Sequence, residues 1–222
     1  AMSLANSFGV TSMQTDDLES ADLDSVLKTY DALKKKDQMT VRVFEEVQQP
    51  RVPQLKAFLK RGMTTGWGDV YFKIGNIKIL TDGSLGARTA YLSRDYADDP
   101  GNRGVAVYTQ DALNEVVALG HKEGMQMAFH AIGDGAVEQC VTAVEYAQRL
   151  YPEKDLRHRI VHCQIADKAL LRRVADAGMG ADIQPAFTAS DAPLVGSRLG
   201  AAHEMDSYRW KTMAEFGIPM GG

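Results

Sequence analysis

Cysteine is scarce in this sequence: Cys140 and Cys163 are the only two among 222 residues. They form no C-x-x-C pair, which excludes a disulfide scaffold and a paired-thiolate redox or metal motif. A reduced, cytoplasmic setting is the expectation that follows. Long apolar runs are missing too. None reaches the roughly 18 residues of a bilayer span, so no membrane contact is expected, and no secretory leader pattern is visible. Neither sign of charge dominates. Against 25 Lys and Arg stand 29 Asp and Glu, a formal net charge of -4 that offers no nucleic-acid surface. The short runs Lys34-Lys35-Lys36 and Arg172-Arg173 read as solvated helix faces. No G-x-G-x-x-G or G-x-x-x-x-G-K-[ST] follows a strand, and no G-x-S-x-G occurs. Support for a nucleotide-binding sheet or a serine-hydrolase elbow is therefore lacking.

What is present is an alternation. The chain is 45% hydrophobic and 24% charged, enough apolar material for a sizeable core, and 1–222 reads as one domain. The opening "AMSLANSFGVTS" looks like a helix end passing through a Gly turn into a strand at 10–14, as though the chain starts inside a fold. A helix follows over 17–37, with Leu23, Val26, Leu27, Tyr30 and Leu33 at helical spacing. "MTVRVFEEV" is a strand, and "PQLKAFLKRG" a helix opened by Pro and closed by Gly62. "NIKILTDGS" is the third strand. "TQDALNEVVALGHKEG" is a helix with Thr109 as N-cap and Gly124 as stop. "MQMAFHAIGD", "RHRIVHCQ" and "MGADIQPAF" are further strands, separated by the helices "AVEQCVTAVEYAQRL" and "DKALLRRVADAG". An irregular stretch holding Pro193 and Gly196 precedes the helix "SYRWKTMAEFG", and "IPMGG" has the look of a strand being entered. Such alternation implies a parallel sheet with crossover helices, either an open doubly wound sheet or a (β/α)8 barrel.

Polar residues gather at the C-terminal ends of these strands: Gln14 and Asp16, Glu45 and Glu46, Lys78 and Asp82, His130 and Asp134, His162 and Gln164, then Gln184. In a parallel barrel those ends ring one mouth, where such barrels place their chemistry, and this favours a barrel missing a unit. Strand alternation puts Gln126 and Ala128 inward with His130, and Met127 and Phe129 outward. In "RIVHCQ", an inward His162 sends Val161 and Cys163 towards the helices. In "NIKILTD", Lys78 and Asp82 share the inward face. A lone strand-end His is most often structural; two on successive strands beside an inward Lys weigh equally as ligands. Asp82 opens "DGSLGART", either a tight turn shaped by Gly83 and Gly86 or a substrate loop whose Arg88 meets a carboxylate. Asp134 reads as a helix cap and Asp191 as a cap or solvated turn. His121, on the polar side of its helix, and His203, in the irregular stretch, are set aside.

The blocks "KILTDGSLGARTAYLS", "FHAIGDGAV" and "RIVHCQ" resemble three blocks of the amidohydrolase superfamily. The resemblance is to its amidohydrolase-3 branch, metal-dependent hydrolases of N-acyl and formamide-type C–N bonds. "NSFGVTSMQTDD" resembles the family's second strand and "FGIPMGG" the run into its eighth, so nearly the whole chain is covered. The resemblance implies an α/β fold, a partial TIM (β/α)8 barrel of the metallo-dependent hydrolase type, roughly strands 2 to 8. It implies hydrolysis of C–N bonds other than peptide bonds in a small-molecule amide-type substrate. It also implies one or two divalent metal ions, Zn before others. His130 resembles the family's fifth-strand histidine and His162 its sixth-strand histidine, both metal ligands there. Lys78 resembles a fourth-strand lysine that is carboxylated in binuclear members and bridges two metals. Asp82 and Arg88 are the substrate-binding candidates.

Two departures qualify what is carried over. The family's first strand ends in H-x-H, and this sequence has none: His158 and His162 are four apart. The family's eighth strand supplies an Asp after "GS", and the sequence reaches only Gly222, short of that position. The chain is therefore expected to carry the middle of a metal site, to bind metal weakly and to be catalytically poor. A non-catalytic binding or interaction module on the same fold is the alternative. A barrel without its first strand leaves two unpaired edges, so association into a homo-oligomer is expected.

Overall fold

Short apolar runs and amphipathic stretches alternate in the computed structural model, which describes residues 1–19, 21–152 and 155–221. Helix α1 (Met2–Ser7) turns through Gly9, whose φ of 76° side-chain-bearing residues rarely adopt, into strand β1 (Ser12–Thr15). A 3-10 turn over 17–19 leads to α2 (Leu23–Lys35), capped by Asp22, which accepts from Ser25 N. The helix therefore starts later than its spacing suggests; Ser20 of the predicted span lies outside the described residues. Then come β2 (Arg42–Gln48), α3 (Val52–Leu59) and β3 (Phe72–Leu80). A long loop, 81–109, precedes α4 (Gln110–Lys122), whose predicted cap Thr109 accepts from Ala112 N. There follow β4 (Met127–Ala131), α5 (Asp134–Leu150), β5 (Arg159–His162), and α6 (Lys168–Asp176) capped by Asp167. The series closes with β6 (Gly180–Asp182), α7 (Ala186–Leu199), α8 (Trp210–Glu215) and β7 (Met220–Gly221). Gly222, the last residue of the predicted strand entry, lies outside the described residues.

The seven strands follow one another across the sheet in sequence order, and every neighbouring pair is parallel. A doubly wound sheet reverses its order at a switch point, and this one does not. The sheet also curls. Arg159 Nη2 on β5 donates to Gln14 Oε1 on β1 at 2.5 Å. Four flat strand spacings would hold those elements about 19 Å apart. The fold is thus α/β, a partial barrel with helices outside. Among the described residues, β1 pairs with β2 alone and β7 with β6 alone.

Alternation sorts the side chains. Val43, Val47, Ile77, Ile79, Met127, Phe129 and Ile160 point outward and are buried against Leu55, Leu113, Val117, Val141, Val144 and Leu171 of the helices. Each such aliphatic contributes about 1.5–3 kcal/mol on burial. A second, smaller core joins Leu85, Leu92 and Tyr96 of the long loop to Ile132, Ile165, Val195 and Leu199. This core accounts for one difference from expectation: the stretch with Pro193 and Gly196 is not irregular but lies in the 14-residue helix α7. Pro193 removes a single backbone donor. Val195 and Leu199, one helical turn apart, are buried in the second core, and Arg198 pairs with Asp98 and donates to Gly86 O. These contacts outweigh the local breaker signals. No described helix is long and apolar enough to cross a membrane.

Candidate metal centre

β4 keeps its predicted alternation. Met127 and Phe129 enter the main core, Gln126 lines the interior cavity, and His130 stands near the strand's end. His130 Nδ1 lies 3.1 Å from Asp82 Oδ1. The same carboxylate, its side chain 0% exposed, accepts from Tyr91 N at 3.0 Å, Ile132 N at 3.1 Å and Gly133 N at 2.8 Å. An ionised carboxylate is an acceptor only, so the imidazole must present Nδ1–H to it, and in the neutral form its lone pair is on Nε2. Gly133 is required here by close approach: a Cβ would lie 2.0 Å from Tyr91 O.

β5 departs from alternation at the residue that matters. Arg159 and Val161 line the cavity and Ile160 is in the core, so the pleat should turn His162 outward. Instead His162 has φ 81° and Cys163 φ 45°, both in the left-handed region. This swings the His162 ring next to His130 and sends Cys163 into the core. The expectation that Val161 faces the helices is corrected by this turn. Such conformations are uncommon for non-glycine residues and concentrate at functional sites. His162 Nδ1 lies 2.5 Å from Gln184 Oε1, and Gln184 Nε2 donates to Asp182 O at 3.1 Å, which fixes the amide's orientation. His162 therefore also carries Nδ1–H and an uncommitted Nε2. The two rings meet edge to face with centroids 4.6 Å apart. Burial, and next the neighbouring His130, hold His162 below the usual histidine range, which keeps it neutral. Phe187 of α7 stacks 6.0 Å from the His162 ring.

A charged network fills the interior of the barrel. Lys78 Nζ lies 3.4 Å from Glu46 Oε2. Glu46 Oε1 accepts from Asn76 Nδ2 at 3.1 Å and lies 3.5 Å from Arg159 Nη2. Arg159 also donates to Asn76 Oδ1 and pairs with Asp182 at 3.2 Å. The cavity has a volume of about 660 Å³, and Gln14, Phe44, Lys78, Gln126, Arg159 and Gln184 are among its walls. Among the described residues, no three His, Cys, Asp or Glu side chains converge to hold a metal. The donor set that fits a cation is the pair of imidazoles, each with a lone pair on Nε2. Lys78 Nζ lies against the Glu46 carboxylate.

The structure thus brings His130, His162 and Lys78 to one end of the barrel interior, and it relocates the two substrate-binding candidates. Asp82 lies past the end of β3 and is turned away from the open cavity by its backbone donors. Arg88 does meet a carboxylate, but within the chain: its Nη2 is 2.9 Å from Asp98. Asp134 is not the N-cap of α5, which is Gly133; it accepts from Ser93 N and Ser93 Oγ of the long loop. His121 is buried rather than on a polar face. Its Nδ1 lies 2.8 Å from His158 Nε2 and its Nε2 lies 3.0 Å from Tyr151 O. Sequence reasoning gave Gln184 no role, although its position at the end of a strand was visible.

The model of the amidohydrolase family matches residues 1–222. The chain is 40% identical over 153 residues to the putative amidohydrolase YtcJ of Bacillus subtilis (strain 168), covering 68% of this chain and 28% of that protein. It is 29% identical over 200 residues to Protein LONG AFTER FAR-RED 3 of Arabidopsis thaliana, covering 90% of this chain and 33% of that one. An uncharacterized metal-dependent hydrolase from Pyrococcus furiosus superposes with a TM-score of 0.75 at 27% identity, over 95% of this chain and 41% of that one. The chain therefore spans about a third of the length of the relatives it matches.

Proposed function

The chain belongs to the amidohydrolase family, and on that premise we propose that it supplies the two-histidine part of a divalent-metal site in a hydrolase of amide-type C–N bonds. One observation carries the reading. Two imidazoles on adjacent strands, with ring centroids 4.6 Å apart, have each Nδ1 tied to an acceptor and each Nε2 uncommitted. Carboxylate–imidazole and amide–imidazole pairs of this kind orient metal-bound histidines. A divalent ion, with Zn best matched to neutral imidazole, would supply a bound water of pKa near about 7 and polarise the substrate carbonyl.

The chain's own residues have separable tasks. His130 and His162 hold the ion, and Asp82 and Gln184 orient them. Lys78, 3.4 Å from Glu46 in the cavity wall, is placed to face a substrate oxygen on which negative charge develops. Phe187 offers an apolar wall beside His162 to a small-molecule substrate. Two imidazoles hold a metal weakly, so the chain alone is a poor catalyst. The buried free thiols Cys140 and Cys163 suit a reducing, cytoplasmic setting. The outer sides of β1 and β7, which pair with no other strand among the described residues, suit association between copies. Light scattering that shows a monomer at high concentration would remove that last point.

Metal analysis after reconstitution with Zn tests the reading. Dialysed against Zn and assayed at equilibrium, the wild-type chain is expected to carry it, and His130→Ala and His162→Ala not to, while His121→Gln still does. A wild-type chain that carries none favours the second reading, a non-catalytic binding module. The convergence of only two imidazoles among the described residues is what keeps that reading open.

A further inference from the structure

We propose that Asp82 is a positioning residue for His130, selecting the tautomer that leaves Nε2 free, and that it fastens the long loop to the end of β4. The proposal rests on the reading of His130 as a ligand, but its test does not need a metal. Four donors converge on this carboxylate: His130 Nδ1, Tyr91 N from the loop, and Ile132 N and Gly133 N from the β4–α5 turn. Ile132 N lies within reach of both oxygens, at 3.1 and 3.2 Å. The side chain is wholly buried, so it acts on the site only through the groups it touches. A second tie, Ala136 N donating to Tyr91 O at 3.2 Å, holds loop and turn together, and Gly133 lets that carbonyl approach. The loop and the His130 ring are thus fixed by one charge.

The isosteric change Asp82→Asn separates these tasks. An amide has one accepting oxygen and one donating nitrogen. Three backbone N–H groups demand the oxygen, so the NH2 group is left facing His130 Nδ1. The imidazole must then accept at Nδ1 and carry its proton on Nε2, which removes the lone pair that would face a metal. The expected Zn affinity loss is about 10- to 100-fold.

The test is the 15N NMR signature of the His130 ring in the chelator-treated 222-residue chain at one neutral pH. Wild type is expected to be Nδ1–H with an unprotonated Nε2, and Asp82→Asn to be Nε2–H. An Nε2–H wild type overturns the proposal, as does a folded Asp82→Asn that stays Nδ1–H. If Asp82→Asn does not fold, the wild-type tautomer decides alone. Asp98→Asn, which loosens the same loop at its pair with Arg88, is expected to lower Tm and leave the tautomer unchanged. A tautomer change there would reduce Asp82 to a general loop contact and overturn the assignment. Failure of the metal reading appears instead as wild type with the expected tautomer and no Zn binding.

Discussion

The protein contains two histidine pairs of similar spacing and opposite character. His130 and His162 have ring centroids 4.6 Å apart, and His121 and His158 5.0 Å. In the second pair every ring nitrogen is committed. Met127 N donates to His158 Nδ1 at 2.9 Å, so His158 carries its proton on Nε2 and passes it towards His121 Nδ1. His121 Nε2–H then donates to Tyr151 O. A backbone donor at one end and a backbone acceptor at the other fix both tautomers. In the first pair each ring is tied at Nδ1 only. Uncommitted Nε2 atoms, rather than the proximity of two histidines, are what separate the proposed ligand pair from the core pair.

The largest effect that would sharpen this contrast is on stability. His158→Ala leaves Met127 N–H without an acceptor and His121 Nδ1 without a donor inside the core. The expected cost is about 3 kcal/mol, from two unsatisfied buried groups and a cavity, read from urea unfolding. A cost below about 1 kcal/mol would mean the relay is not a structural element.

The next effect is in pH. Burial, and then the neighbouring His121, push His158 down to about 3. The unfolded chain takes up a proton near its ordinary 6.5 and the folded chain does not, so stability falls as pH falls below 6.5. At pH 5 this group alone removes about 2 kcal/mol, and His158→Gln should flatten that part of the acid limb. An unchanged acid limb in the variant would assign the loss elsewhere. Glu45 runs the other way. Burial raises its carboxyl to about 8, so its contribution is present at low pH and is lost as pH rises through that value.

The two pairs also differ in how far the sequence revealed them. On β4 the pleat is regular, and reading every second residue put Gln126 and His130 on the correct face. On β5 the same rule fails at His162, because a left-handed φ on a histidine leaves no mark in composition or period. The blocks around Lys78, His130 and His162 still identified the family and the partial barrel, because they are local. Asp82 was visible, but its donors Tyr91 N, Ile132 N and Gly133 N were not, because those backbones converge only in three dimensions. His121 could have been read correctly, since Leu113, Val117 and His121 recur every four residues on the buried face of α4. A polar residue type was given more weight than its spacing. The helical character of α7 was hidden by Pro193 and Gly196, and is explained only by the second core that it covers.

Within the mouth pair, Gln184 is the weaker of the two orienting groups, being neutral where Asp82 is charged. Gln184→Ala removes the acceptor at His162 Nδ1, freeing the ring to rotate and to exchange tautomers. Zn affinity is expected to fall about 10-fold, the lower end of what loss of an orienting partner does, with little change in Tm. Calorimetric titration with Zn reads it. No change in affinity would show that the left-handed turn and the contact with Phe187 hold the ring without the amide.

The smallest expected effect completes the contrast. His130→Ala deletes a ring that is partly exposed and makes one hydrogen bond, to a carboxylate that keeps all three of its backbone donors. Asp82 is not left unpaired, so the penalty for a stranded buried charge does not arise. The stability change should stay below about 1 kcal/mol, the net worth of an ordinary hydrogen bond, while Zn is lost. Urea unfolding of His130→Ala beside His158→Ala measures this difference directly. If the two cost the same, His130 is as much a part of the core as His158, and the physical distinction between the pairs fails.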